Sequence, residues 1–234
     1  MRASQDGFTI IELMIATAIF TIMLILTTTT IIGITQTYIK GSVEGQTQQT
    51  ARTVLSDISQ AIEFNDSGDI TVTTNYSGDV YYFCTGSDVY VYQLDKYLSP
   101  TLTGSEYSTW ALVRFPYSSC TVPLNSLNQP DPLGQAGAEE LLATNERLGW
   151  LYISPLAING ETAYTINLEI GYGDNVLLND TFNTNGDYNV NALPTAPPVS
   201  AQYEYRCISG LDSSFCATST LTTTVIPRIP GISG

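Results

Sequence analysis

Residues 8–26 of this 234-residue chain carry one charge, the carboxylate of Glu12, in a run that is otherwise almost pure hydrocarbon. These nineteen residues extend roughly 28 Å as an α-helix, enough to cross the core of a bilayer. A lone segment in lipid must satisfy its own backbone, so helix is the only state open to it. A carboxylate inside such a helix costs on the order of a few kcal/mol. Glu12 therefore either lies near the membrane boundary and reaches water, or meets a cation.

The rest of the chain has a different character. From Asn65 onward it holds five basic and seventeen acidic residues, out of 8 and 22 in the whole. That excess of negative charge repels phosphate backbones and speaks against a nucleic-acid partner. The region is long enough for one sizeable domain, and its many tyrosines suit a strand-rich one. Its four cysteines, Cys84, Cys120, Cys207 and Cys216, all follow the apolar run. With no C-x-x-C pair and no histidine in the chain, a metal site is disfavoured and two disulfides in an exported domain fit better. Arg2, before the run, agrees with a cytoplasmic N-terminus.

A secretory signal peptide would place a small-residue cleavage site after its apolar run. None follows Leu26, where "TTTTIIGITQTYIKG" continues. The small residue Gly7 instead precedes the run, so a cut there removes "MRASQDG" and leaves the helix attached. The junction "GFTIIELM" at residues 7–14 resembles the class III leader of type IV prepilins and type II secretion pseudopilins. The resemblance implies that a membrane prepilin peptidase cuts after Gly7 and methylates the new amine of Phe8. It implies that residues 1–7 are a cleaved leader and that Glu12, at the fifth mature position, serves assembly. A positive amine on Phe8 could then sit beside Glu12 of a neighbouring subunit, neutralising both charges and setting axial register. The implied partners are the peptidase, other pilin or pseudopilin subunits, an inner-membrane assembly platform and the membrane itself. The implied location is the cytoplasmic membrane as a single-pass precursor with its head outside, then a pilus or pseudopilus at the cell surface or in the periplasm.

Beyond the span, set at about residues 8–35, four threonines at 27–30 and glycines at 33, 41 and 45 weaken helix propensity. An intact helix and a locally loosened one both remain open there. In "QTQQTARTVLSDISQAIEF", Val54, Leu55, Ile58, Ala61 and Ile62 share one helical face, with Arg52, Asp57 and Gln60 off it. That face is expected to pack on a sheet, and the helix to run over residues 8–64. From residue 65 to 234, β-branched and aromatic runs such as "VYYFC", "VYVYQL", "TWALVRF", "GWLYIS", "AYTINLEIGY", "QYEYRCIS" and "TLTTTVIP" alternate with turn residues. "AEELLATNER" at 138–147 has the composition of a short helix. The fold class is thus α+β and pilin-like: one long N-terminal helix, transmembrane then amphipathic, packed on an antiparallel β-sheet head.

Four cysteines allow three connectivities. Cys207 with Cys216 is preferred because "QYEYR" and "ATSTLTTTV" read as strands of one hairpin, leaving Cys84 with Cys120.

The absence of histidine removes Ser-His-Asp and Cys-His sites, and no G-x-S-x-G, P-loop or G-x-G-x-x-G is present. Glu139 and Glu140 read as solvent-facing, and "NDSGD" at 65–69 and "NTNGDYN" at 183–189 as plain turns lacking EF-hand spacing. No catalytic residue, metal ligand or cofactor is assigned, and an enzyme is disfavoured. The expected function is a structural subunit of a type IV pilus-like filament, a minor pilin by its size. The alternatives are a type II secretion minor pseudopilin and a pilus-carried adhesin head.

Overall fold

The computed structural model describes residues 9–65, 70–71, 74–77, 80–101, 104, 107–116, 119–158, 161–173, 178–180, 205–207 and 215–228. One helix, α1, runs unbroken over Ile10–Glu63, 54 residues, or roughly 81 Å. The threonines do not interrupt it. Thr27, Thr28, Thr29 and Thr30 donate their hydroxyls to carbonyls of Met23, Leu24 and Leu26 one turn back. The pairing satisfies the hydroxyls within the helix itself.

The two halves of α1 meet different surroundings. The N-terminal half contains a window apolar enough to cross a bilayer, none of it buried within the chain. The C-terminal half buries one stripe: Val43, Thr47, Ala51, Val54, Ile58 and Ile62. Leu55 and Ala61 flank it, partly buried against the same core. The six stripe residues are spaced by four, four, three, four and four positions, which keeps one side of the helix turned to the head.

The head is built from strands β1 (Thr74–Ser77), β2 (Val80–Cys84), β3 (Asp88–Gln93), β4 (Tyr97–Leu98), β5 (Tyr107–Ser108), β6 (Leu112–Pro116), β7 (Glu139–Glu140), β8 (Glu146–Ile158), β9 (Glu161–Tyr172), β10 (Leu178–Asp180), β11 (Tyr205–Cys207) and β12 (Ala217–Val225). They form not one sheet but two main ones, an antiparallel β1-β2-β3-β6-β7 and an antiparallel β12-β9-β8. Two short pairs, β10-β11 and the parallel β4-β5, complete the described set.

Side-chain alternation divides the larger sheet between two cores. Tyr81, Phe83, Tyr90 and Tyr92 join the α1 stripe and residues such as Leu151, Ile153, Ile166 and Leu168 of the smaller sheet. Phe83 lies opposite Tyr90 with rings stacked at 4.6 Å, and Tyr81 opposite Tyr92 at 5.5 Å, cross-strand pairs of the kind that stabilise sheets. Val89, Val91, Val113 and Phe115 face the other way, with Cys84, under Trp110 and Val122. The disulfide from Cys84 to Cys120 ties the following loop across this second core.

Three sequence expectations need correction. Residues 138–147 are not helical: they form β7, a turn with Asn145 at φ 70°, and the start of β8. Long-range bonds override helix propensity, since the Glu140 carboxylate accepts N–H groups of Ala111 (2.8 Å), Leu112 (2.9 Å) and Leu142 (3.1 Å). Glu140 is accordingly not a solvent-facing acid; Glu139 is exposed and pairs with Arg114 at 2.7 Å. Cys207 is bonded to Cys216, but the described parts of the two expected strands do not pair with each other. Among the described residues β11 pairs with β10 and β12 with β9, so this bond links two sheets.

The helix is held to the head by polar bonds as well as by its stripe. Asp57 accepts the Tyr90 hydroxyl at 2.9 Å and pairs with the Arg114 guanidinium. Past β12, Arg228 returns to the end of α1: it pairs with Glu63 at 2.7 Å, donates its backbone N–H to the Glu63 carbonyl at 2.8 Å, and lies over the Phe64 ring. The last turn of α1 has no basic residue of its own, and Arg228 supplies the cation that a helix C-terminus favours.

Glu146 is buried where β8 begins, accepting the Ala143 N–H at 2.9 Å through Oε2, while Oε1 finds no partner. Burial pushes its carboxyl up to about 7, opposed only by that N–H and by the Thr50 hydroxyl of α1. The folded chain thus holds a proton that the unfolded chain releases, so stability falls as pH rises from about 4.5 to about 7 and the loss is complete above that.

Two outcomes are expected. Ile58→Asp places an unpaired charge in the core and lowers stability by about 3 kcal/mol or more, whereas Ser56→Asp on the exposed face changes it by less than about 0.5 kcal/mol. Thermal melts of the detergent-solubilised chain compare them, and equal losses would reject this packing face. Glu146→Gln leaves stability unchanged near pH ~4 and raises it by about 1–2 kcal/mol near pH ~8, after discounting for partial solvent access. A mutant whose pH profile parallels the wild type would refute the buried-acid assignment.

Candidate assembly site

The N-terminal end of α1 is where the sequence places its one intramembrane charge. Gly7 and Phe8 lie outside the described residues. Thr9 is extended (φ −79°, ψ 150°) and caps the helix. Its hydroxyl accepts the Glu12 N–H at 3.3 Å, while Glu12 Oε2 accepts the Thr9 backbone N–H at 2.9 Å and the Thr9 hydroxyl at 2.8 Å. The arrangement is a capping box, satisfying donors that the first turn would otherwise leave open. The acid also suits the positive end of the helix dipole.

Thr9 was not singled out from the sequence, although T-x-x-E ahead of an apolar run carries that signal. Its presence changes the reading of Glu12. The carboxylate is held against its own helix end through one oxygen, and among the described residues Oε1 takes no hydrogen bond. Glu12 is exposed, as are Ile10, Ile11, Leu13 and Met14 around it. The site therefore offers a fixed acceptor to a cation that approaches from outside the chain.

Along the helix above it, Ile15, Ile19, Phe20, Ile22, Met23, Ile25 and Leu26 are also exposed. The Thr17, Thr21, Thr35 and Thr37 hydroxyls bond to carbonyls of the preceding turn. The surface is thus hydrocarbon on every side, compatible with lipid or with other such helices. The head brings no further chemistry to this end. Among the described residues no group of His, Cys, Asp and Glu is arranged to hold a metal ion. Residues 66–69 and 183–189, which contain the oxygen-rich turns, lie outside the described set.

Comparison with known proteins bears on this same segment. Residues 2–28 match the family of the prokaryotic N-terminal methylation motif. No curated protein matches the chain, and no solved structure does. The matched stretch spans the leader, the capping box and the apolar start of α1, and such a motif implies processing by a prepilin peptidase and assembly with other pilins. The match supports a type IV prepilin-like class III leader at the start of the chain.

Proposed function

We propose that this chain is a structural subunit of a type IV pilus-like filament, a minor pilin, which polymerises through α1 after its leader is removed. The observation that carries the reading is the join between a fully exposed apolar half-helix and a folded head on one continuous α1. A single protomer leaves that hydrocarbon uncovered once it leaves the bilayer. Burial against neighbouring helices is the economical way to cover it, at about 25 cal/mol per Å² of apolar surface.

Cleavage after Gly7 creates an amine on Phe8, four residues before Glu12. A neighbour's amine can take the open Oε1 of Glu12 while Thr9 retains Oε2. Each protomer then has a donor and an acceptor at the same end, and stacking neutralises both. The mature chain from Phe8 is 227 residues, from 234 less the seven of the leader, and this large head favours a low-copy position over the bulk building block. Retention of Glu12 supports a subunit able to stack beneath another. The precursor is a single-pass protein of the cytoplasmic membrane with its disulfide-bonded head outside.

Glu12→Leu tests the reading. The variant is expected to insert and to be cleaved normally, since it adds hydrocarbon to an already apolar span. It is expected to be depleted about tenfold or more from sheared filaments, as fits the loss of a buried charge pair. Equal recovery of variant and wild type in purified fibres would overturn the role of Glu12.

A further inference from the structure

The head is fastened to α1 by different chemistry at its two ends. At the far end Asp57 accepts the Tyr90 hydroxyl and pairs with Arg114, and Arg228 pairs with Glu63. At the near end, from Val43 to Val54, no ion pair joins α1 to the head among the described residues. The hydroxyl of buried Thr47 is spent on its own helix, donating to the Val43 carbonyl at 3.0 Å. What the head offers here is the carboxyl of Glu146, beside the Thr50 hydroxyl.

Glu146 is wholly buried, although it stands at the very start of β8, directly after the turn at Asn145. One of its oxygens accepts the Ala143 N–H and the other has no hydrogen-bond partner. A neutral carboxyl tolerates that arrangement far better than an ionised one, because an unpaired charge in a core carries a large desolvation cost. No cation relieves it. Arg147, the next residue, is engaged with Asp95 and the Gly173 carbonyl. Tyr172 stands opposite Glu146 on β9, and β12 has no ionisable residue. Glu44 and Arg52, the charged residues of α1 nearest Thr50, are exposed. Neither these nor Lys96 and Tyr97, beside the Leu98 carbonyl that bonds Asn145, act on the carboxyl. Burial holds it at about 7, opposed by the Ala143 N–H and the Thr50 hydroxyl.

We propose that Glu146 is a proton-operated latch between the head and the near end of α1. Protonated, it stays docked beside Thr50. Ionised, it leaves for water, and residues 43–51 of α1 part locally from the start of β8. The step releases one proton to solvent and breaks no covalent bond. The far end holds, because its contacts join opposite charges and release of a proton from a carboxyl does not remove an ion pair. The latch is thus a local opening and not a general loss of stability, which would weaken both ends alike. It lies where the exposed half of the helix enters the head, just beyond the first buried stripe residue, Val43. There it sets how firmly the head follows its stem. The inference does not depend on the filament reading.

Hydrogen exchange of the full-length chain in detergent, read by mass spectrometry near pH ~5.5 and pH ~8 and corrected for the intrinsic rate, tests this. Amides of residues 47–51 and 143–148 are expected to lose protection about tenfold or more at the higher pH, and those of residues 58–63 less than about twofold. In Glu146→Gln the near-end loss should shrink to less than about twofold, since the amide does not titrate. Equal loss at both ends of the wild-type chain would overturn the latch, and so would near-end protection that does not change with pH. This wild-type comparison decides the matter by itself if the variant folds poorly. A near-end loss that persists undiminished in folded Glu146→Gln would assign it to another group and overturn the proposal as well.

Discussion

Burial of one stripe of α1 is the interaction on which the head depends. Ala51, Val54, Ile58 and Ile62 lie between two separate sheets and are fully or almost fully removed from solvent. Neither sheet alone covers the other: the stacked tyrosines and Phe83 come from one, Leu151, Ile153, Ile166 and Leu168 from its counterpart. The helix is the third wall of a shared core. The Tyr92 hydroxyl bonds the Leu151 carbonyl at 2.8 Å and Arg147 pairs with Asp95 at 3.0 Å, joining the sheets directly. Such a head cannot be rotated or slid on its helix without opening the core, so whatever positions α1 in an assembly also positions the head.

The same helix serves two solvents. Its head-bound half obeys the ordinary division between a buried stripe and a polar face. Its lower half is apolar all round, with threonine hydroxyls turned inward on their own carbonyls. No break separates the halves, so mechanical continuity runs from the Thr9–Glu12 box to Arg228, which closes the far end from the other extreme of the chain. The acidic head and the hydrocarbon stem keep opposite preferences on one continuous helix.

Much of this was legible in the sequence because it rests on short periods. The apolar span, the Glu12 spacing, the stripe through Ile58 and the alternating strands β2, β3 and β9 are local patterns. What escaped was set by distant partners. Residues 138–147 have helical composition, yet Glu140 is claimed by backbone N–H groups almost thirty positions away. The division into two main sheets, and the placing of Cys207 in β11 and Cys216 just ahead of β12, depend on which strands pair, and β-branched composition is the same for either partner. Asp57 looked like a polar residue off the packed face, but Tyr90 and Arg114 draw it to the sheet. The capping role of Thr9 differs from these: its T-x-x-E signal is local and stands in the sequence beside the glycine and the glutamate.

Assembly through α1 depends on processing at the end of the chain that the methylation motif covers. Mass spectrometry of the mature protein from cell envelopes measures it directly. The expected N-terminal peptide begins at Phe8, lacks residues 1–7 and carries a methylated amine. An N-terminus at Met1 in filament-associated protein, or a cut after the apolar run that detaches α1 from the head, would contradict it.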